Sequence, residues 1–188
     1  GFAFGKNRAG NIELLRKISA ELGVVSDEVG EVRLRGTRIS SSRIRRHLAE
    51  GKINLARRML GRPYGIEGKI IHGAQRGRTI GFPTANLKPV NRVIPKFGVY
   101  ATATLIDGVW RRGITNVGVR PTFENEAEPS IETYIFDFDG DLYGDVLRVR
   151  FLYRIRDERR FNGIDELKAQ IEKDTSRALK YFERQGVN

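Results

Sequence analysis

Every second residue from Val99 to Leu105 is apolar, with Tyr100, Thr102 and Thr104 set between Val99, Ala101, Ala103 and Leu105. A period of two is the repeat of an extended chain whose successive side chains point to opposite faces, so this stretch predicts a half-buried strand. Asp107-Gly108 follows as a two-residue hairpin turn into a return strand over Val109 to Val117. Val146 to Tyr153 alternates valine and arginine around Leu147, and Ile66–His72 and Ser130–Phe138 are also strand-like, with Asp139-Gly-Asp as another turn. Five or six short antiparallel strands with hairpin turns point to a small closed barrel.

Helical patterns flank this region. Ile12, Leu15, Ile18 and Leu22 recur at helical spacing over Asn11–Leu22, with Gly23 as the stop. Val24–Val25 and Glu31–Leu34 are short strand candidates. Ser40–Ser42 read as a helix start with Ile44 and Leu48 on one face and Gly51 after the end. A short helix over Ile53–Leu60 stops at Gly61. At the other end Asn162 can cap a helix whose apolar stripe is Ile164, Leu167, Ile171, Ala178, Leu179 and Phe182.

The stretch richest in chemistry is Gly73–Asn86, where Gly73, Gly77 and Gly81 alternate with Arg76 and Arg78. Glycine lets a backbone approach a ligand closely, and arginine offers forked donors suited to phosphate. Pro83 then fixes its own φ and drives Phe82 into an extended conformation. Thr84 and Asn86, two apart in an extended run, present their oxygens on one side. Neutral oxygens beside a basic, glycine-rich flap suit Mg²⁺ held together with nucleotide phosphates; the alternative is a surface turn leading into an edge strand. In the strand around Ser130–Phe138, Glu132 shares a face with Tyr134 and Phe136. It is either a carboxylate with a catalytic task or a rim residue paired with an arginine.

At 188 residues the chain suits one full domain plus a part, or two small ones. It has 39% hydrophobic residues, no run of 18 apolar residues, no cysteine and a net charge of +11. Nothing in it predicts a membrane span, and a cysteine-free chain is compatible with the cytoplasm. The charge is spread along the chain and no recognised nucleic-acid-binding module is present, so nucleotides rather than nucleic acid are the expected polyanions. A basic barrel binding single strands through Tyr100, Trp110 and Tyr134, and a flavin-binding module without catalysis, are the competing readings. Ordinary phosphate loops and protein-kinase signatures are absent. The calcium-like run Asp137-Phe-Asp-Gly-Asp141 has Leu142 and Arg148 where that loop needs Gly and Glu.

Arg-Gly-Arg followed by Gly81-Phe-Pro-Thr-Ala-Asn86 resembles the signature of riboflavin kinases. The resemblance continues through Gly98-Val-Tyr, Asn116-Val-Gly-Val-Arg-Pro-Thr122, Ile131-Glu-Thr-Tyr, Asp139-Gly-Asp-Leu-Tyr-Gly144 and Arg156-Asp-Glu-Arg-Arg-Phe161. It implies a mainly β domain over 62–188, a six-stranded antiparallel Greek-key barrel with a C-terminal helix. It also implies Mg²⁺, ATP as phosphoryl donor, riboflavin as acceptor, and FMN and ADP as products. In the resemblance Glu132 is the catalytic base, Thr84 binds the metal and Asn86 supports it. Gly73, Arg76, Gly77, Arg78, Gly81 and Pro83 form the ATP-binding flap, and Arg120, Arg156 and Phe161 are assigned to the flavin. Phe161 otherwise reads as core.

Residues 1–61 resemble the C-terminal part of the FMN adenylyltransferase domain that precedes the kinase in bacterial bifunctional riboflavin kinase/FAD synthetases, a partial α/β nucleotidyltransferase segment. Ser41, Ser42 and Arg45 match that domain's phosphate-binding helix start, although the serines also read as a plain cap. The family's His-x-Gly-His motif is absent, and His47 and His72 read as solvated and strand-end residues. The chain is therefore expected to be a fragment that makes no FAD alone.

Overall fold

The computed structural model describes residues 3–27, 29–73, 76–120 and 128–186. The chain divides into two compact units, Gly1–Ile39 and Ser40–Asn188. In the first, α1 (Ile12–Glu21) begins at Asn11, whose side chain accepts the Leu14 N–H at 2.9 Å. A two-residue hairpin follows, β1 (Arg33–Leu34) with β2 (Thr37–Arg38). Val24–Val25, expected to be extended, belongs to no strand.

The second unit begins with α2 (Ser41–Ala49), capped by the Ser40 hydroxyl, and α3 (Ile53–Leu60), ended by Gly61 in the left-handed region. The barrel strands are β3 (Tyr64–Ile71), β4 (Thr84–Pro89), β5 (Gly98–Ile106), β6 (Val109–Arg120), β7 (Glu128–Ile135) and β8 (Val146–Arg156), with one helical turn, α4 (Arg76–Thr79), between β3 and β4. All neighbours are antiparallel, and the barrel closes in the order β3-β4-β7-β6-β5-β8. β5, β6 and β7 form a meander and β8 returns beside β5, which is a Greek key. The Asp107-Gly108 turn has positive φ at both residues (49° and 77°), and it sets Ile106 opposite Val109 and Val99 opposite Asn116.

Strand β5 is buried on both faces rather than one. Its polar-looking side, Tyr100, Thr102 and Thr104, points into the barrel with no exposure, beside Ile66, Val117 and Phe151. Its apolar side, Val99, Ala101 and Ala103, lies outside the barrel beneath α5 (Ile164–Gln185), against Ala178 and Phe182. Threonine is tolerated inside because its hydroxyls satisfy one another: Thr115 Oγ1 lies 2.8 Å from Thr102 Oγ1 and 2.9 Å from Thr133 Oγ1. Thr104 Oγ1 is equally buried and finds no partner among the described residues. The two positions respond oppositely to the same change. Thr115→Val strands two hydroxyls and costs about 1–3 kcal/mol, while Thr104→Val is neutral or stabilising. Urea melts of the two variants check this; equal losses contradict it.

Leu48, Ile53 and Ala56 of α2 and α3 belong to the same buried cluster as the inward barrel residues. The Lys96 N–H donates to the Leu48 carbonyl at 2.9 Å. By packing, Ser40–Gly61 thus goes with the barrel. We propose that the expected boundary at 61/62 is a boundary of ancestry rather than of packing. Helix α5 starts at Gly163, without a side-chain cap; Asn162 instead donates its backbone N–H to Glu166 Oε2 at 3.0 Å. Ile164, expected in the apolar stripe, is exposed.

Candidate active site

The proline-straightened run Phe82–Asn86 does not start an edge strand, because β4 lies between β3 and β7. Thr84 faces Tyr134 across β4–β7, Asn86 faces Glu132, and Glu132 faces Asn116 across β7–β6. Directly opposed residues share a face. Asn86, Glu132 and Asn116 therefore form one row on the outer surface, with Thr84 on the same side, while Ala85, Thr133 and Thr115 turn inward. Glu132 is half-buried and its Oε1 accepts from the Ser130 hydroxyl at 3.1 Å. Among the described residues it has no arginine partner. Tyr134, on its face, makes edge contacts with Phe82 (5.2 Å) and Phe136 (5.5 Å).

The flap folds back on these residues. A Cβ at Gly73 would collide with the buried Asn86 amide, and one at Gly77 would collide with the Phe82 carbonyl and lie 3.3 Å from Thr84 Oγ1. Only glycine permits that approach. Gly81, at φ +85°, turns the chain into Phe82-Pro83. The side chains of Arg76, Arg78 and Arg120 lie outside the described residues. A cavity of about 640 Å³ opens beside the flap, lined by Gly73, Pro83, Thr84 and Asn86, by the inward-turned Ala85 and Thr133, and by Phe138–Tyr143. Its size is that of a ligand pocket. The calcium-like segment thus supplies a cavity wall, and His72 stacks on Tyr143 at 3.6 Å within the same lining. Glu132 is not in the lining; it adjoins it through Asn86.

No group of three or more imidazoles or carboxylates suited to a metal occurs among the described residues. A hard cation at Thr84 and Asn86 would take most of its ligands from phosphates and water, which is the habit of Mg²⁺.

The outer row runs further than the sequence suggests. Val99 faces Asn116 across β5–β6 and Arg156 across β5–β8. Asn86, Glu132, Asn116, Val99 and Arg156 therefore lie in line across five strands. Phe161 is not core: it is half-exposed, with the guanidinium groups of Arg156 and Arg159 at 5.6 and 4.7 Å from its ring centre. Glu158, unnoticed in the sequence, lies over Gly118 on the same face. Burial pushes its carboxyl above the usual range, and nearby Glu132 adds to this, while Arg156 and the Asn116 amide oppose it.

Next to this row Asp157 accepts from Arg154 at 2.8 Å and pairs with Lys96 at 3.0 Å, which holds its pKa near 2 against an ordinary 3.8. A depressed carboxylate adds stability above its unfolded pKa and loses it as pH falls through the folded one. Thermal melts of Asp157→Asn therefore lie below wild type at neutral pH, and the gap closes between about pH 4 and pH 2. A gap that persists at pH 2 contradicts the pairing.

Ser41, Ser42 and Arg45 are exposed on α2 and do not line the cavity; Ser40 is the residue that caps. His47, read as solvated, is largely buried, with 17% side-chain exposure. Asp174 was also missed, although a carboxylate between Ile171 and Ala178 interrupts the helix's apolar stripe.

Residues 60–182 match the Flavokinase family model, described as riboflavin kinase. A bifunctional riboflavin kinase/FMN adenylyltransferase of Bacillus subtilis is 48% identical over 148 residues, covering 77% of this chain and 47% of that one. The protein of that name from Haemophilus influenzae is 42% identical, covering 96% of this chain and 59% of that one. The chain thus spans about half the length of these curated relatives. In structure it resembles a macrolide-efflux protein from Streptococcus pneumoniae, at 35% identity and a TM-score of 0.79, covering 93% of this chain and 56% of that one. Among the described residues no helix is long and apolar enough to cross a membrane.

Proposed function

Because the chain belongs to the riboflavin kinase family, we propose that it transfers the γ-phosphoryl group of Mg·ATP to the terminal ribityl hydroxyl of riboflavin, giving FMN and ADP. The observation that carries this reading is the registered meeting of Asn86 with Glu132 and of Thr84 with Tyr134 across β4–β7. It sets a phosphate flap and a carboxylate side by side on one surface. Phosphoryl transfer needs charge neutralisation, in-line positioning and a group to receive the hydroxyl proton. Thr84 and Asn86 are the residues that would hold Mg²⁺; when bound, the ion neutralises charge on the nucleotide phosphates. The flap backbone at Gly73 and Gly77 covers the phosphates, with Arg76 and Arg78 as added positive charge. Glu132 takes the ribityl proton, held in orientation by Ser130. Arg156 and Phe161, at the far end of the row, and Arg120 receive the flavin ring.

The absence of cysteine and the use of ATP fit a cytoplasmic enzyme. FMN adenylyltransferase activity, the second activity in the relatives' names, is not assigned to residues 1–61 alone, because the chain covers only 47% and 59% of those relatives. Incubating the chain with riboflavin and Mg·ATP tests the kinase reading: FMN and ADP form in equal amounts. Oligonucleotide binding that weakens with salt, without FMN, favours the basic-barrel alternative, and flavin binding without FMN the non-catalytic module.

A further inference from the structure

Among the described residues, Asp174 on α5 is the only charged side chain in the fully buried class, at 1% exposure. A carboxylate out of water is costly unless every oxygen is satisfied, and an apolar pair of similar volume would serve packing as well. Both oxygens are committed. Oδ2 accepts from Arg156 Nε at 2.8 Å and Oδ1 from Gln170 Nε2 at 2.8 Å. Arg156 in turn donates one Nη1 hydrogen to the Asp157 carbonyl at 2.9 Å. Its Nη2 group has no hydrogen-bond partner among the described residues, and the guanidinium plane lies beside Phe161. A flexible arginine is thereby fixed at two nitrogens with one forked edge left over.

The leftover edge has a defined place. Arg156 ends the row that starts at Asn86 and passes through Glu132, Asn116 and Val99. From Glu132 it is three strand spacings away, roughly 14 Å at about 4.8 Å each. That is a reach suited to a tricyclic ring carried on a five-carbon chain whose last hydroxyl sits at Glu132. The ring's outer edge carries carbonyl acceptors, which a guanidinium edge recognises, and Phe161 offers an aromatic wall.

We propose that Asp174 is a positioning residue for the flavin: from helix α5 it holds Arg156 so that the free guanidinium edge meets a ring carbonyl. This rests on the kinase reading above. The C-terminal helix then sets flavin affinity, whereas the flap sets nucleotide affinity.

The test is riboflavin binding, followed by quenching of flavin fluorescence, beside steady-state kinetics for both substrates. Asp174→Asn keeps the shape and removes the charge. It raises the riboflavin Kd and KM about tenfold or more, the scale of one charge-assisted hydrogen bond, and leaves the KM for ATP and kcat within about twofold. In an Arg156→Gln background the same substitution has no further effect on flavin binding. Where Asp174→Asn fails to fold, Gln170→Leu, which loosens Asp174 from one side, raises the riboflavin Kd by a smaller factor in the same direction. The inference is overturned by an unmoved riboflavin Kd in folded Asp174→Asn or Gln170→Leu, by an equal rise in the KM for ATP, or by full additivity with Arg156→Gln. A wild-type chain that makes no FMN overturns the kinase reading instead, an outcome read in a different tube.

Discussion

Glu132→Gln lowers FMN formation by ~100-fold or more, the usual scale for loss of a general base. The substitution keeps the volume and the hydrogen-bonding reach of the side chain and removes the proton acceptor. It should fold normally, since Glu132 is half-buried and, among the described residues, its carboxylate's one hydrogen bond is from Ser130, a donor an amide oxygen also accepts. Asn86 and Asn116, its neutral neighbours across the strands, offer no group to take over the proton. Half-saturating concentrations of ATP and riboflavin stay within a few-fold of wild type, because the loss falls on the transition state rather than on binding. Turnover within about tenfold of wild type, in a variant with an unchanged melting temperature, removes Glu132 from the role of base.

Thr84→Ala acts on the other half of the reaction. The Thr84 hydroxyl lies under the flap, where a Cβ on Gly77 would already be 3.3 Å away, and it lines the large cavity with Asn86. Alanine deletes an oxygen where, among the described residues, no group of three or more carboxylates or imidazoles could hold the metal instead. The apparent KM for Mg·ATP rises by ~10- to 100-fold, the range seen when support for a bound metal is lost. Riboflavin binding measured without nucleotide is unchanged. Thr84→Ser, which retains the hydroxyl, recovers most of the affinity. An unaltered KM for Mg·ATP in Thr84→Ala, across a range of Mg²⁺ concentrations, excludes the threonine as a ligand.

Much of this molecule could be read from local pattern. Strands β5 and β8 followed from period-two alternation, β3 and β7 from strand-like runs, and β4 was legible only as the possible start of an edge strand. The β5–β6 register was in effect written by Asp107-Gly108, since a two-residue turn fixes every pair behind it, Val99 and Asn116 included. Glu132 stood out as a lone carboxylate in an aromatic strand. What escaped was set by pairing between distant segments. Asn116 meets Glu132, and Arg156 joins their row, only through registers that no short turn specifies. The direction of β5 escaped for another reason. Alternation shows that two faces differ, not which one points inward, and the threonine ladder satisfies its hydroxyls where the sequence alone suggests an exposed side. Phe161 reads two ways because a single aromatic before an amphipathic helix fits a core as well as a pocket wall; in the fold it is half-exposed beside Arg156 and Arg159. Asp174 left a readable trace, a charge inside an apolar stripe, whose partner lay on a different element.

A crystal structure of the chain with Mg·ADP and FMN tests the shared site most directly. The expected result has the cation on Thr84 Oγ1, the FMN phosphate beside Glu132, and the flavin ring reaching along the outer face toward Arg156 and Phe161. Nucleotide bound away from the Gly73–Asn86 flap, or a flavin phosphate on the far side of the barrel from Glu132, contradicts it.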